Sequence, residues 1–369
     1  MNTANEVSFK SDSLTGSSAY DSYNAIKTQL GYFHEEGLIN RTQRELLEKP
    51  RWAISFTLPT LKRTGRNKPI NCYMVKQGRT RESFISRIIY DPGLAKENIK
   101  TIALGDHLRA KLADIPFEPV PVGVEIGEAD LSGNLRSQIE NHVKMSLQQP
   151  LHYQSADQSL SINAHNKCAN QNFRSPNHCL SNILLALKKL KFPGRKKIKV
   201  AASKINSFTR KECKLLPENE FQVLPRNKDK VPREDVLVLS DQKPLSLNDA
   251  RGLKAEVIVD LFQGAVDPEV RAILAEKDID IIPNIVTSLP EIIKLYFNGI
   301  EDYKLGFSNS DSFNNHACRL TTKAFRSAWK LANRESISLT SAAFALAIKR
   351  SAKIQSFACS FSLSGGNKW

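Results

Sequence analysis

Asp235-Val-Leu-Val-Leu239, Glu256-Val-Ile-Val-Asp260 and Asp278-Ile-Asp-Ile-Ile282 decide the fold. Each is a short apolar run headed by an acid, the composition of a strand covered on both faces. Pro268 to Glu276, between the last two, opens with a proline and an acid in its first turn, which marks a helix start. Alternation of strand and helix over 195–300 predicts a sheet of parallel type, because parallel neighbours need a crossover long enough to hold a helix. Upstream, Leu180 to Leu190 reads as a helix, and Ile198 to Ala202, after Pro193-Gly194, as another strand. About 35 residues separate Val200 from Asp235, room for roughly one βαβ unit.

The N-terminal half has a different rhythm. Residues 1–23 are polar and Ser-rich and read as a flexible arm. Residues 24–50 read as helical, with Ile26, Leu30, Phe33, Leu38 and Leu46 as apolar anchors. Trp52–Leu58 and Asn71–Val75 alternate apolar and polar side chains and are expected to pair, with Gly65-Arg66-Asn67 near the turn. Ile85–Tyr90 and Val120–Ile126 read as strands, and Asn98–Ala113 and Leu135–Leu147 as helices. Residues 148–177 are polar and read as a loop-rich linker. Helices are expected at 313–333 and 338–353, and the tail from Ser356 to Trp369 shows no regular pattern.

The chain has 369 residues, enough for two domains. Its 41% apolar and 25% charged residues exclude a chain disordered throughout. No run of ~18 apolar residues exists, so no membrane span is expected. The stretch MNTANEVSFKSDSLTGSSAYDSY has no apolar core and carries Glu6, Asp12 and Asp21, which argues against a targeting peptide and for a cytoplasmic location. Six irregularly spaced cysteines predict reduced thiols. His165, Cys168, His178 and Cys179 are ligand types for zinc, but their spacing matches no standard finger, and no metal site is assigned. The net charge is +15, and residues 188–214 hold eleven bases against one acid, Glu212. Such a block suits a polyanion, yet only Phe192 and Phe208 interleave it, so stacking on nucleic-acid bases is not favoured.

Several blocks, in order, resemble the glutamate/leucine/phenylalanine/valine dehydrogenases, glutamate dehydrogenase most of all. They are Tyr73-x-Val75 with Arg81 and Tyr90-x-Pro92, then Leu112-Ala-Asp-Ile-Pro-Phe117 and Ala186-Leu-Lys-Lys-Leu190. Pro268-Glu269, Pro283-Asn284-Ile285 and Tyr296-Phe297 follow, and Ala342-Ala343-Phe344 with Ala347–Arg350 closes the series. The resemblance implies an α/β fold of two domains: a substrate and oligomerisation domain over 24–185 and a reduced Rossmann-like domain over 186–310. C-terminal helices and a tail over 311–369 complete it, and family members are usually hexamers.

The positions that carry the family's chemistry do not match. Its catalytic lysine, in G-G-G-K-G-G, falls on Pro121 within Glu118-Pro-Val-Pro-Val-Gly123, so no catalytic residue is assigned. Its substrate lysine and arginine of K-G-G-x-R fall on Ile85 and Ile89, and its substrate serine on Leu295. A carboxylate-binding lysine falls on Arg109, which keeps the charge; Arg109 and Arg81 are the substrate-binding candidates. The proton-shuttling aspartate has no counterpart between Asn141 and Ser161. The Gly-rich phosphate turn falls on Val200–Ser207, which contains no glycine, so no cofactor is expected. The reading favoured is a non-catalytic glutamate dehydrogenase-like protein acting through assembly or regulation, as a homo-oligomer or with an active dehydrogenase. Two alternatives stand beside it: an NAD(P)-dependent amino-acid dehydrogenase with a rebuilt site, and polyanion binding through 188–214.

Overall fold

The computed structural model describes residues 30–31, 33–35, 37–58, 69–78, 84–127, 130–152, 179–203, 207–224, 234–240, 244–261, 265–301 and 310–364. The expected arm 1–23 and most of the expected linker 148–177 lie outside them. The chain forms two compact units: residues 1–79, 83–107 and 118–170, and residues 80–82, 108–117 and 171–369.

The first unit holds a four-stranded mixed sheet, β1 (Trp52–Leu58), β2 (Ile70–Lys76), β3 (Phe84–Tyr90) and β4 (Glu118–Val124), in the order β1-β2-β4-β3. β1 and β2 pair antiparallel from Trp52↔Lys76 to Leu58↔Ile70, as their alternation requires. β4 runs antiparallel to β2 and parallel to β3. On one face Met74, Val120, Val122 and Val124 meet Ile139 and Val143 of α3 (Gly133–His152). Val75 packs with Ile99 and Ala103 of α2 (Lys96–Leu112) and with Leu94 in a second cluster. All seven residues of β4 are buried. Gly123 is needed there, since a Cβ would lie 2.3 Å from Leu94 Cδ2 and 2.5 Å from Ile99 Cδ1.

The helix expected over 24–50 is interrupted. Gly37 adopts φ +69°, and Asn40 is extended and starts a new helix, α1 (Arg41–Glu48). Asn40 Oδ1 accepts from Gln43 N–H, and Gln43 Oε1 accepts from Asn40 N–H, both at 2.8 Å. Asn40→Ala is expected to cost about 1 kcal/mol, read as a lower urea midpoint.

The second unit carries the predicted parallel sheet. Its strands are β5 (Ile198–Ala202), β6 (Phe221–Leu224), β7 (Val236–Leu239), β8 (Val257–Asp260) and β9 (Asp280–Ile282), all parallel, in the order β6-β5-β7-β8-β9. The one βαβ unit allowed by the chain length is β5, α5 (Ser207–Lys214) and β6. Helices α6 (Leu247–Gly252) and α7 (Pro268–Glu276) follow β7 and β8. Val270 and Leu274 of α7 join Leu237, Leu239 and Ile258 in the core of this unit. The remaining helices are α4 (Leu180–Lys191), α8 (Asn284–Thr287), α9 (Leu289–Glu301), α10 (Ser310–Glu335) and α11 (Leu339–Ser364).

Three sequence boundaries move. α3 continues to His152, into the expected linker and past Pro150. α11 continues to Ser364 through the patternless tail, since no glycine or proline intervenes before Gly365-Gly366. The boundary expected at 185/186 falls inside α4. Among the described residues no helix is long and apolar enough to cross a membrane.

Candidate functional site

Glu118 opens β4 and is fully buried. Its carboxylate accepts from the Gly78 N–H at 2.7 Å and lies 2.9 and 3.0 Å from Nδ1 of His107, which is also buried. An ionised carboxylate only accepts, so Nδ1 carries the proton it shares. A Cβ on Gly78 would meet the Glu118 carboxylate, so a side chain there would require Glu118 to move off its partners. One residue before His107, the buried Asp106 pairs with Arg87 at 2.8 Å. Asp106 is paired with a guanidinium, and Glu118 is met by hydrogen-bonding partners, as burial of such groups requires. The arrangement is a closed polar core.

Pro121 lies in the middle of this strand, buried, with Arg87 as its register partner on β3. The β2 pairing of β4 begins only at Val122, so Pro119 and Pro121 sit where β4 has β3 as its strand partner, and a missing N–H costs no ladder bond toward β2. Ile89 packs in the cluster of Val75 and Ile99, and Leu295 is buried in α9. Arg109, the predicted anion-binding cation, has its guanidinium 3.5 Å from the Glu291 carboxylate. Arg81 lies outside the described residues. Composition hid the role of Glu118. Its one signal was an acid heading an otherwise uncharged buried strand, which demands a partner such as His107.

In a doubly wound sheet the ligand crevice opens beyond the C-terminal strand ends where the order reverses. Here that point lies between β5 and β7, which Ser203 and Ser240 directly follow. Ser240 N–H donates to Ser203 Oγ at 2.9 Å, Ser203 N–H donates to Val238 O at 2.8 Å, and the two hydroxyls are 3.4 Å apart. Beside them, Thr287 Oγ1 donates to Asp260 O at 2.6 Å and Asn284 Nδ2 to Leu261 O at 2.9 Å.

The basic block meets acids at the opposite, N-terminal end of the same sheet. Asp235 precedes β7, Glu256 precedes β8 and Asp280 opens β9. Arg195 bridges Asp235 and Glu256, and Lys191 pairs with Asp280 at 2.6 Å. Lys188 pairs with Glu220 at 2.8 Å, just before β6. Part of the local +10 is thus neutralised by acids that lie far away in sequence. Among the described residues no group of three or more His, Cys, Asp or Glu is placed to hold a metal ion.

A mixed sheet in one unit and a five-stranded parallel sheet in the other make a two-domain α/β fold. Solved glutamate dehydrogenases share it. That of Peptoniphilus asaccharolyticus matches with TM-score 0.72 at 14% identity, covering 91% of this chain and 98% of that one. The hetero-hexameric enzyme of Thermus thermophilus, in a leucine-bound form, matches with TM-score 0.68 at 16% identity, covering 91% and 96%. In sequence the chain is similar to the NAD-specific glutamate dehydrogenase of Staphylococcus aureus, 25% identical over 122 residues, which are 32% of this chain and 29% of that enzyme. The match therefore spans less than a third of that curated relative's length. No family model matches.

Proposed function

We propose that this chain is a non-catalytic, glutamate dehydrogenase-like protein that acts through assembly, with copies of itself or with active dehydrogenase subunits. Pro121 carries the reading. Dehydrogenation of an amino acid calls on an ammonium to polarise the substrate, and proline offers none in a strand that is wholly buried. Glu118 supports it, because its carboxylate is committed to Gly78 and His107. The described residues at the crevice do not fit a dinucleotide pyrophosphate. That group is held by backbone N–H groups of a Gly-rich turn, and the Ser240 N–H is already given to Ser203. Arg109 is drawn to Glu291 rather than left to a substrate carboxylate. Assembly is supported by β1, a seven-residue edge strand without charge or proline, the kind that accepts another strand. The Thermus enzyme, of the same fold, is hetero-hexameric. Binding of polyanions through 188–214 is disfavoured by the pairing of Lys188, Lys191 and Arg195.

Purified protein is expected to leave NADH and NADPH unoxidised with 2-oxoglutarate and ammonium. Neither nucleotide should shift its melting, although a ligand at 100 times its Kd would add about 2.7 kcal/mol. In size-exclusion chromatography with light scattering it should run as an oligomer, alone or mixed with an active glutamate dehydrogenase. Steady nucleotide oxidation would return the chain to the enzymes. A monomer that joins no dehydrogenase subunit would remove the assembly role.

A further inference from the structure

Cys179 and Cys318 are separated by 139 positions in sequence, yet their sulfur atoms lie 3.1 Å apart. Cys179 is the N-cap residue of α4 and caps nothing with its side chain. α4 packs its apolar face, including Ile183 and Leu187, into the core, and α10 lies against it and brings Cys318 to that cap. The two thiols are unequal. Cys179 is 1% exposed and sealed, whereas Cys318 is 9% exposed and lines a groove of about 570 Å³. Arg319, Lys323, Arg326 and Lys330 stand on successive turns of α10 along this groove. The hydrogen bond from Cys179 holds the Cys318 thiol below its ordinary range. That same bond, with burial, holds Cys179 above it. Burial pushes the Cys72 thiol up to about 12 and raises that of Cys213, so neither competes as a thiolate.

We propose that Cys318 and Cys179 are a reversible redox pair, in which a hydroperoxide entering the basic groove oxidises Cys318 and Cys179 closes the disulfide. The Cys318 thiolate attacks the terminal peroxide oxygen; the O–O bond breaks, and the leaving oxygen takes a proton and departs as water or alcohol. Cys318 is then a sulfenic acid. The Cys179 sulfur attacks the Cys318 sulfur, the S–O bond breaks, and the hydroxyl leaves as water with the Cys179 proton. The two sulfurs lose two electrons in all, and the peroxide gains them. A disulfide needs the sulfurs at ~2.05 Å, a closure of about 1 Å from their present separation. A dithiol reductant reverses the bond by exchange. The closed bond ties α4 to α10.

The test treats the folded full-length chain with hydrogen peroxide, blocks the remaining thiols and maps the peptides by mass. The expected product is a linked pair of peptides containing Cys179 and Cys318, two hydrogens lighter than the separate peptides and lost on reduction with dithiothreitol. In Cys179→Ser the sulfenic acid should persist at Cys318 and be trapped by dimedone, and Cys318→Ser should give neither product. Free thiols at both positions while Cys213 or Cys359 oxidises would overturn the proposal, as would a disulfide from Cys318 to any other cysteine. The deciding map is made on the natural sequence, so a variant that does not fold leaves the answer intact.

Discussion

Glu118→Ala is expected to lower the unfolding free energy by about 3–5 kcal/mol, the cost of leaving two buried hydrogen-bonding partners unmatched and of opening a cavity. The carboxylate has no exposed surface and bonds Gly78 N–H at 2.7 Å and His107 at 2.9 Å. Alanine takes the acceptor from both donors at once. Each buried polar group left unmatched costs about 1–3 kcal/mol, and the emptied volume adds a cavity term. Glu118→Gln keeps the size and one acceptor oxygen and should lose clearly less. Urea denaturation checks this, with a fall in midpoint at constant m-value. An Ala variant unfolding at the natural midpoint would mean that water replaces the carboxylate and that the polar core is open.

Pro121→Lys, which puts a lysine where the resemblance aligns the family's, is expected to destabilise the protein by on the order of several kcal/mol and to confer no dehydrogenase activity. Every residue of β4 is buried, and position 121 is in register with Arg87, so the new ammonium would be desolvated beside a like charge. Asp106 already neutralises Arg87 at 2.8 Å and cannot serve two cations equally. Pro121→Ala, which adds no charge, should keep the fold and separates the effect of the ammonium from that of losing the proline. The readouts are the urea midpoint and oxidation of NADH with 2-oxoglutarate and ammonium. A folded Lys variant that turns over would show that the old site is still formed and lacked only its lysine.

Both expectations rest on positions whose identity is plain in the sequence and whose surroundings are not. That position 121 is a proline and that Val200–Ser207 holds no glycine can be read directly. The parallel strands of the second unit can too, because burial on both faces writes itself into runs such as Val236–Leu239 and Val257–Asp260. The lack of room between Val200 and Asp235 announced a reduced sheet before its five strands were placed. Periodicity served less well where a backbone conformation or a neutral polar run set the boundary. Gly37 and the Asn40 cap split one apparent helix, and α11 ran through a tail with no apolar pattern.

By itself the sequence determined the alternation of elements and the parallel sheet, since each depends on residue type and local spacing. Only the tertiary structure decided what the charged and reactive side chains do. Arg109 meets Glu291, Arg195 spans Asp235 and Glu256, Glu118 closes over Gly78, and Cys179 touches Cys318. Local periodicity records whether a side chain faces the core. It does not record which distant element supplies its partner, because that choice is made by strand order and helix packing after the elements exist.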